Sequence, residues 1–157
     1  MFIHLYVNFF TEHGHPLDSI KNCLLIFAAI DKRKHDFNSK AEAIQAIEAS
    51  GYQKWYRLVH DTFHHHPANE QEFFSSHTGI VHLSSVLPVP LEKEPSDADR
   101  LLFLEEDLLF TKEQAQTLVT SGYRGIFSFE PFSPRVHNLD AETLEEEIKK
   151  SINLLFR

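Results

Sequence analysis

The sequence predicts an α/β fold in which β-strands alternate with α-helices and run parallel to one another. Continuous apolar runs have the length of buried strands, and the segments between them begin at residues that favour helix caps. Strands that alternate with helices are joined by right-handed crossovers and lie in one parallel sheet. The 157 residues match about one domain, and a hydrophobic fraction of 42% is enough to form a core.

The first part of the chain contains two predicted strands and one predicted helix. The opening segment, "MFIHLYVNFF", is apolar but too short to cross a bilayer, and it lacks the pattern of a signal peptide, so we expect a strand or helix there. "CLLIFAAI" (23–30) is typical of a strand buried on both faces. "SKAEAIQAIEASG" (39–51) predicts a helix that begins after Ser39 and ends at Gly51. "YRLVHDTFHHH" (56–66) predicts the next strand, with polar residues at its end.

The middle of the chain contains a third strand, a long loop and a second helix. "TGIVHLSSVL" (78–87) predicts the strand. "PVPLEKEPSDADR" (88–100) is rich in proline and charge and predicts a loop, and loops of this length often carry function. "TKEQAQTLVTSG" (111–122) predicts a helix with Thr111 as its N-cap.

The last part of the chain predicts a fourth strand and a closing helix. "YRGIFSFEPFSP" (123–134) is the strand, and Glu130 lies near its end. "DAETLEEEIKKSINLLFR" (140–157) is the helix, with Asp140 as its cap and an apolar stripe that faces inward. The predicted order is therefore β-α-β-loop-β-loop-α-β-α, with no glycine-rich phosphate loop after any strand.

Charge and cysteine content exclude several classes of partner. The formal net charge is −8, which argues against binding to the phosphates of nucleic acid and against docking on an anionic membrane. Cys23 is the single cysteine, so it cannot form an internal disulfide. A reducing, cytoplasmic setting is therefore expected.

Three predicted strands carry a potential metal ligand near their carboxyl ends: Asp61, His82 and Glu130. In parallel α/β folds the carboxyl ends of the strands share one edge, so these side chains are expected to meet there. Two carboxylates and one imidazole suit Mn²⁺, Mg²⁺, Co²⁺ or Zn²⁺. His64 follows Asp61 by three residues, where it can contact a substrate hydroxyl or support a ligand.

Each of these residues also has a purely structural interpretation. A lone histidine in an apolar strand, such as His82, is more often a satisfied core residue than a ligand. Glu130 precedes Pro131 and can lie in a solvated turn, and the run 64–66 can be a surface tract. Taken one at a time these interpretations are preferred, but three such groups at the same end of three strands favour a site.

The segments "LVHDTFHHH", "TGIVHLSSV" and "GYRGIFSFEPFSP" resemble, in this order, strand motifs of the sugar phosphate isomerase/epimerase family with a xylose isomerase-like TIM barrel, and among its members the inosose isomerases. The resemblance implies that residues 23–157 form the C-terminal half of a TIM barrel, a partial barrel of parallel strands with flanking helices. It leaves residues 1–22 as an N-terminal segment of uncertain role.

The resemblance also implies a chemistry and a set of roles. In this family one divalent metal is held by Glu, Asp, His and Glu from four strands, and two glutamates move a proton between neighbouring carbons through an enediol. By position, Asp61, His82 and Glu130 match three ligands, and Glu130 matches one proton-transfer residue. His64 matches a histidine that contacts the substrate, with a catalytic role, and Arg100 resembles a loop arginine that contacts the substrate. The implied substrate is a small sugar or cyclitol.

Two departures from the family pattern bear on activity. Phe27 or Ala28 stands where the fourth ligand, a glutamate, is expected, and Ser84 and Ser85 replace an acidic residue after the histidine. A complete barrel needs about 250 residues, so this sequence accounts for half of one. One hypothesis is a metal-dependent isomerase or epimerase that acts as part of a completed barrel. The other is a non-catalytic remnant or half-barrel that assembles with a second copy or a complementing chain.

Overall fold

The structure, a computed structural model, describes residues 39–51, 53, 56–90 and 93–157, and the backbone of residues 5–7 and 24–26. The strands are β1 (Leu5–Val7), β2 (Leu24–Ile26), β3 (Tyr56–Asp61), β4 (Thr78–Leu83) and β5 (Ile126–Phe129). The α-helices are α1 (Lys40–Ser50), α2 (Thr62–Ala68), α3 (Thr111–Thr120), α4 (Pro134–His137) and α5 (Ala141–Leu155), and Asp97–Asp99 form a 3₁₀ turn. The predicted boundary between residues 22 and 23, and most of the predicted strand at 23–30, lie outside the described residues.

The strands form one sheet with the order β1-β5-β4-β3-β2. Strands β2, β3, β4 and β5 run parallel to one another, which confirms the α/β prediction. The strand β1 pairs with β5 in the antiparallel direction, so the opening segment does contribute a strand. Because the sheet does not close on itself within the described residues, the fold is a partial TIM barrel.

The outer face of the sheet packs against the helices that follow the strands. Val81 and Phe127 are register partners on β4 and β5, and both are almost completely buried. They join one apolar cluster with Leu118 of α3 and with Ile148 and Leu155 of α5. This cluster is the main core. It holds in place β4, which carries His82, and β5, which is followed directly by Glu130.

The inner face of the sheet carries a separate apolar layer. Val59, Ile80 and Ile126 lie side by side in the registers of β3, β4 and β5 and form a small buried cluster. Since side chains on a strand alternate between faces, the residues two positions further on point to the same side. Asp61, His82 and Ser128 therefore form the next layer, at the carboxyl ends of the strands.

Two elements differ from their predictions for local reasons. The strand predicted for 56–66 ends at Asp61, because the Asp61 side chain accepts hydrogen bonds from the backbone N–H groups after it and starts α2. Thr111 is the first residue of α3 rather than its N-cap. The Asp107 carboxylate accepts the Thr111 N–H at 2.8 Å, and the Thr111 hydroxyl donates to the Ser84 carbonyl at 2.7 Å. Neither contact is visible in the spacing of helix-capping residues.

Three other predicted helix ends are confirmed. Ser39 accepts the Glu42 N–H, Gly51 has the left-handed conformation that ends a helix, and Asp140 accepts the Thr143 N–H at the start of α5. The strands predicted for 78–87 and 123–134 are shorter in the structure, where they are β4 and β5. None of the described helices has the length and apolar character needed to cross a membrane.

Candidate metal centre

Asp61, His82 and Glu130 lie together at the carboxyl edge of the sheet, as the sequence predicts. Asp61 and His82 are register partners, and Glu130 follows the last residue of β5, with its backbone N–H bonded to the Leu83 carbonyl. The His82 Nδ1 atom lies 3.2 Å from Glu130 Oε2 and 3.9 Å from Asp61 Oδ2. One ligand atom from each residue falls within 4.8 Å of the other two. Asp61 and His82 are buried, and Glu130 is partly buried.

The two carboxylate oxygens of Asp61 have separate tasks. Oδ1 accepts the N–H groups of Phe63 at 2.8 Å and His64 at 3.4 Å, and so caps α2. Oδ2 points into the group of three and is the oxygen nearest His82. The cap fixes the carboxylate plane, so the start of α2 orients one ligand of the site.

Arg100 approaches the same group from the loop after β4. One of its terminal nitrogens, Nη2, lies 3.0 Å from Asp61 Oδ2 and 2.8 Å from Glu130 Oε2. The residue is only 1% exposed, so this charge is removed from water and is paired with both carboxylates. Buried charges of this kind are retained when they are paired and hydrogen-bonded.

The rest of the guanidinium group is also held. Its Nε donates to Ser84 Oγ at 3.2 Å, and its Nη1 donates to Asp97 at 3.3 Å. The rings of Phe63 and Phe132 lie against the guanidinium carbon at 5.0 and 4.7 Å, one from the start of α2 and one from the loop after β5. Cation–π contacts and four hydrogen bonds therefore fix the orientation of Arg100.

The electrostatics of the site keep Glu130 ionised. Burial by itself raises the pKa of Glu130, but the hydrogen bond and charge of His82, and the charge of Arg100, act in the opposite direction and lower this pKa to about 2. The carboxylate is therefore negative at neutral pH. It is available as a ligand, or as an acceptor of a proton, without first losing a proton of its own.

The three residues fit a divalent cation by chemistry and by spacing. Ligand atoms that share one Zn²⁺ at about 2.0–2.2 Å lie about 3–4 Å apart, and the two separations from His82 Nδ1, 3.2 and 3.9 Å, agree with this. Ser128 is the register partner of His82, and its buried hydroxyl has no hydrogen-bond partner within the described part of the chain. Positions 27 and 28, where the family pattern has its fourth ligand, lie outside the described residues.

The remaining residues predicted for the site lie around this group. His64 is in the first turn of α2, half-buried, with its ring edge against Phe63. Ser84 and Ser85, which replace the acidic residue expected after the histidine, are both fully buried. Ser84 bonds Arg100, and the Ser85 hydroxyl accepts the Leu104 N–H at 3.1 Å. The aromatic pair that encloses Arg100 was not predicted, because nothing in the spacing of Phe63 and Phe132 marks it.

A second buried polar cluster, also not predicted, lies where α1, β3 and α2 meet. The Lys40 ammonium group lies 3.1 Å from His60 Nδ1, 2.7 Å from His65 Nδ1 and 3.5 Å from Glu70 Oε2. His60 Nε2 lies 2.9 Å from Gln114 Oε1. Since a lysine can only donate, both imidazoles accept at Nδ1 and carry their proton on Nε2, which allows His60 to donate to Gln114.

This cluster shifts the protonation of its members. Burial lowers the pKa of Lys40 to about 8, although Glu70 opposes the shift. Burial and the Lys40 charge lower the pKa of His65 to about 3 and hold the pKa of His60 well below its usual value. Both histidines are therefore neutral at physiological pH and act as acceptors that anchor α1 to the sheet.

Comparison with known proteins gives a consistent result for sequence and structure. A family model described as a xylose isomerase-like TIM barrel matches residues 29–157. A crystal structure of a xylose isomerase domain-containing protein from Salmonella typhimurium LT2 is 31% identical to this chain and superposes with a TM-score of 0.74. That match covers 85% of this chain and 50% of the Salmonella protein.

A second solved structure is more distant. The crystal structure of the IolI protein with a bound zinc atom is 21% identical, has a TM-score of 0.58, and is matched over 73% of this chain and 42% of its own length. At that identity the likeness shows the fold alone. No curated protein matches the sequence significantly. The chain therefore spans about half the length of the two solved structures it matches.

Proposed function

The chain belongs to the family of xylose isomerase-like TIM barrels, and we propose that it is a metal-dependent isomerase or epimerase of small sugars or cyclitols. The reaction would move a proton between neighbouring carbons through an enediol. The observation that carries the proposal is the meeting of Asp61, His82 and Glu130 within 4.8 Å on the inner face of the sheet. These residues come from three strands, and such a group at the carboxyl ends is where this architecture places its chemistry.

Asp61 Oδ2, His82 Nδ1 and Glu130 Oε2 are the atoms that would hold the metal. A bound divalent cation would supply Lewis acidity, which polarises the carbonyl and the adjacent hydroxyl of a sugar and makes the intervening C–H more acidic. Mn²⁺, Mg²⁺, Co²⁺ and Zn²⁺ all accept mixed oxygen and nitrogen ligands. The zinc atom in the IolI structure supports this class of ion for the fold but does not select one for this chain.

The chain's own residues would do the rest of the chemistry. Glu130 is ionised at neutral pH and would accept the proton from one carbon and return it to the next. His64 lies on the first turn of α2, next to Asp61, and would hydrogen-bond a substrate hydroxyl. Arg100 would bind a substrate oxygen once one of its donors is released. Val59, Ile80 and Ile126 form a buried apolar layer next to the site, which would limit the access of water from within the barrel.

Metal binding is the first test. Calorimetric titration of the purified chain with Mn²⁺, Co²⁺ and Zn²⁺ is expected to show one site, and the heat of binding should be lost in Asp61→Asn and in His82→Ala. Asp61→Asn is chosen because an asparagine keeps an Oδ1 acceptor for the cap of α2 while it removes the charge. Glu105→Gln, an exposed carboxylate on a loop, is the matched control and should bind as the unchanged chain does. If the unchanged chain binds none of these ions, the proposal that its function depends on a metal is wrong.

Proton transfer is the second test, and solvent exchange detects it even when turnover is slow. In D₂O, NMR should show metal-dependent loss of the C–H signal next to the carbonyl in a panel of ketoses and ketocyclitols. Glu130→Gln should reduce the exchange rate by about 10²–10⁴-fold, the usual contribution of a general base. Equal exchange in Glu130→Gln and the unchanged chain would contradict the proposed role of this residue.

A half-barrel that acts through assembly is the second candidate. It is favoured by the open sheet of the described residues, in which β2 has a neighbour on one side only, and by the 50% and 42% coverage of the solved structures. An unpaired parallel edge can pair with another strand. We propose that the barrel is then completed by a second copy of the chain or by a complementing half-barrel.

Sedimentation velocity separates the two candidates. If assembly completes the barrel, the sedimentation coefficient should rise with protein concentration, and D₂O exchange activity should rise with it. If the chain is a monomer at every concentration and still catalyses exchange, the metal-dependent isomerase is supported and the assembly hypothesis is wrong. A monomer without exchange activity would support the purely structural remnant.

A further inference from the structure

Arg100 contacts the same carboxylate oxygens that are the proposed metal ligands. The oxygens that Arg100 Nη2 contacts, Asp61 Oδ2 and Glu130 Oε2, are the same two atoms that complete the group with His82. The contacts of 3.0 and 2.8 Å are short, and the guanidinium group is buried and always charged. The arginine is therefore a permanent positive charge that is paired with both carboxylates in the structure.

We propose that Arg100 is the resident counter-ion of the site and that a divalent cation binds only when its Nη2 atom releases Asp61 and Glu130. This inference rests on the proposed metal site. It also links the two expected roles of the arginine, because the donor that leaves the carboxylates becomes available to a substrate oxygen. Arg100 is in this sense a positioning residue that ties substrate binding to metal binding.

The charges at the site favour competition between Arg100 and a metal cation for the two carboxylates over binding of both cations at once. The two carboxylates contribute −2 and Arg100 contributes +1. The sequence has Phe27 or Ala28, and no third carboxylate, at the position where the family pattern has another glutamate. With the arginine still in contact, a divalent cation would have to share the Asp61 and Glu130 oxygens with a full positive charge that lies 3.0 and 2.8 Å from them. Like charges at that separation, away from water, repel strongly.

The surroundings of Arg100 hold its side chain in contact with Asp61 and Glu130. Ser84 and Asp97 accept hydrogen bonds from two further donors, and the rings of Phe63 and Phe132 lie against the guanidinium carbon. The backbone is also held, because the Arg100 carbonyl accepts the Ser133 N–H at 2.8 Å. Only the Nη2 contacts involve the ligand oxygens. Because the guanidinium group is a rigid plane, a movement that takes Nη2 away from these oxygens also displaces Nε and Nη1 from Ser84 and Asp97.

The test measures metal affinity in variants of the whole chain. Arg100→Met keeps an unbranched apolar side chain beside the two phenylalanines and removes the charge. We expect the Kd for Mn²⁺, measured by calorimetry, to fall at least tenfold relative to the unchanged chain. Arg135→Met, which removes the same charge from an exposed position on α4, is the matched control and should change the Kd less than twofold.

A second readout is independent of calorimetry. In EDTA, Arg100→Met should melt at a lower temperature than the unchanged chain, because two partly buried carboxylates lose their counter-ion. Added Mn²⁺ should raise the melting temperature of Arg100→Met more than that of the unchanged chain. If Arg100→Met does not fold, Arg100→Lys decides, since a lysine cannot reproduce the fork geometry and should also bind Mn²⁺ more tightly.

The outcomes separate this inference from the proposed function. Tighter binding of Mn²⁺ in the folded Arg100 variant than in the unchanged chain supports the inference. Equal or weaker binding of Mn²⁺ in the variant overturns the inference about Arg100. A measurable Kd for the unchanged chain in that case still supports the proposed metal site. Failure of both proteins to bind Mn²⁺ overturns the inference and the metal-dependent function together.

Discussion

The buried cluster around Lys40 makes the stability of the fold sensitive to acid, and His65 is the residue through which this can be measured. In an unfolded chain a histidine takes up a proton near pH 6.5, whereas burial and the Lys40 charge lower the pKa of His65 in the fold to about 3. Between these values the unfolded state binds more protons. The free energy of unfolding must therefore decrease as the pH falls from above 6.5 towards 3.

The size of this effect follows from the two pKa values. Integration from pH 7 to pH 5 gives a loss of about 2 kcal/mol in the free energy of unfolding from His65 alone. His60 acts in the same direction, because burial and Lys40 lower its pKa as well. Among the described residues, the carboxylates whose charge acts on Lys40 are Glu70 and Asp61, and the charge of His66 acts on His65 in the same direction as that of Lys40.

The variant that isolates the effect is His65→Asn. An asparagine places its Oδ1 near the position of Nδ1, so it can accept the Lys40 hydrogen bond, but it does not titrate. The contact between the His65 and Phe73 rings, 4.6 Å between centroids, is lost, so the variant should be less stable at pH 7. Its loss of stability from pH 7 to pH 5 should, however, be about 2 kcal/mol smaller than that of the unchanged chain.

Urea denaturation followed by far-UV circular dichroism at pH 7, 6 and 5 gives the required free energies. His137→Asn, at an exposed histidine on α4, is the matched control and should keep the full dependence on pH. If His65→Asn loses as much stability on acidification as the unchanged chain does, His65 is not a buried neutral acceptor. The account of the Lys40 cluster would then be wrong.

Three further substitutions test the fold by the same denaturation assay. Phe127→Ala removes a ring that is 1% exposed and should lower the free energy of unfolding by about 3–5 kcal/mol, so a loss below 1 kcal/mol would show that the outer face is not the core. Ser39→Ala removes the cap of α1 and should cost about 1 kcal/mol, whereas Ser39→Asp should restore most of it. Gly51→Ala places a side chain at a φ of 73°, where no atom of the described residues lies within 4 Å to clash, so its cost of about 1–2 kcal/mol is backbone strain, and Gly51→Asn should cost less.

The sequence was sufficient for features that depend on neighbouring residues or on a general rule of the architecture. Ser39, Gly51 and Asp140 mark helix ends because capping involves residues a few positions apart. Asp61, His82 and Glu130 could be brought together because parallel strands align their carboxyl ends at one edge. The helix α2 was missed although Asp61 is a good cap, since the histidines after it resemble the polar end of a strand.

The tertiary structure decided the contacts between residues that are distant in the chain. Arg100 reaches Asp61 across 39 positions and Glu130 across 30, and Lys40 reaches His60 and His65 across 20 and 25. No periodicity records such pairs, because they form only when packed strands and helices exclude water and leave buried charges to find partners. From the sequence alone came the order of the elements, apart from the short helices α2 and α4, and the edge at which the ligands meet. The cation paired with those ligands, and the protonation of the histidines behind them, depend on burial, which only the folded chain defines.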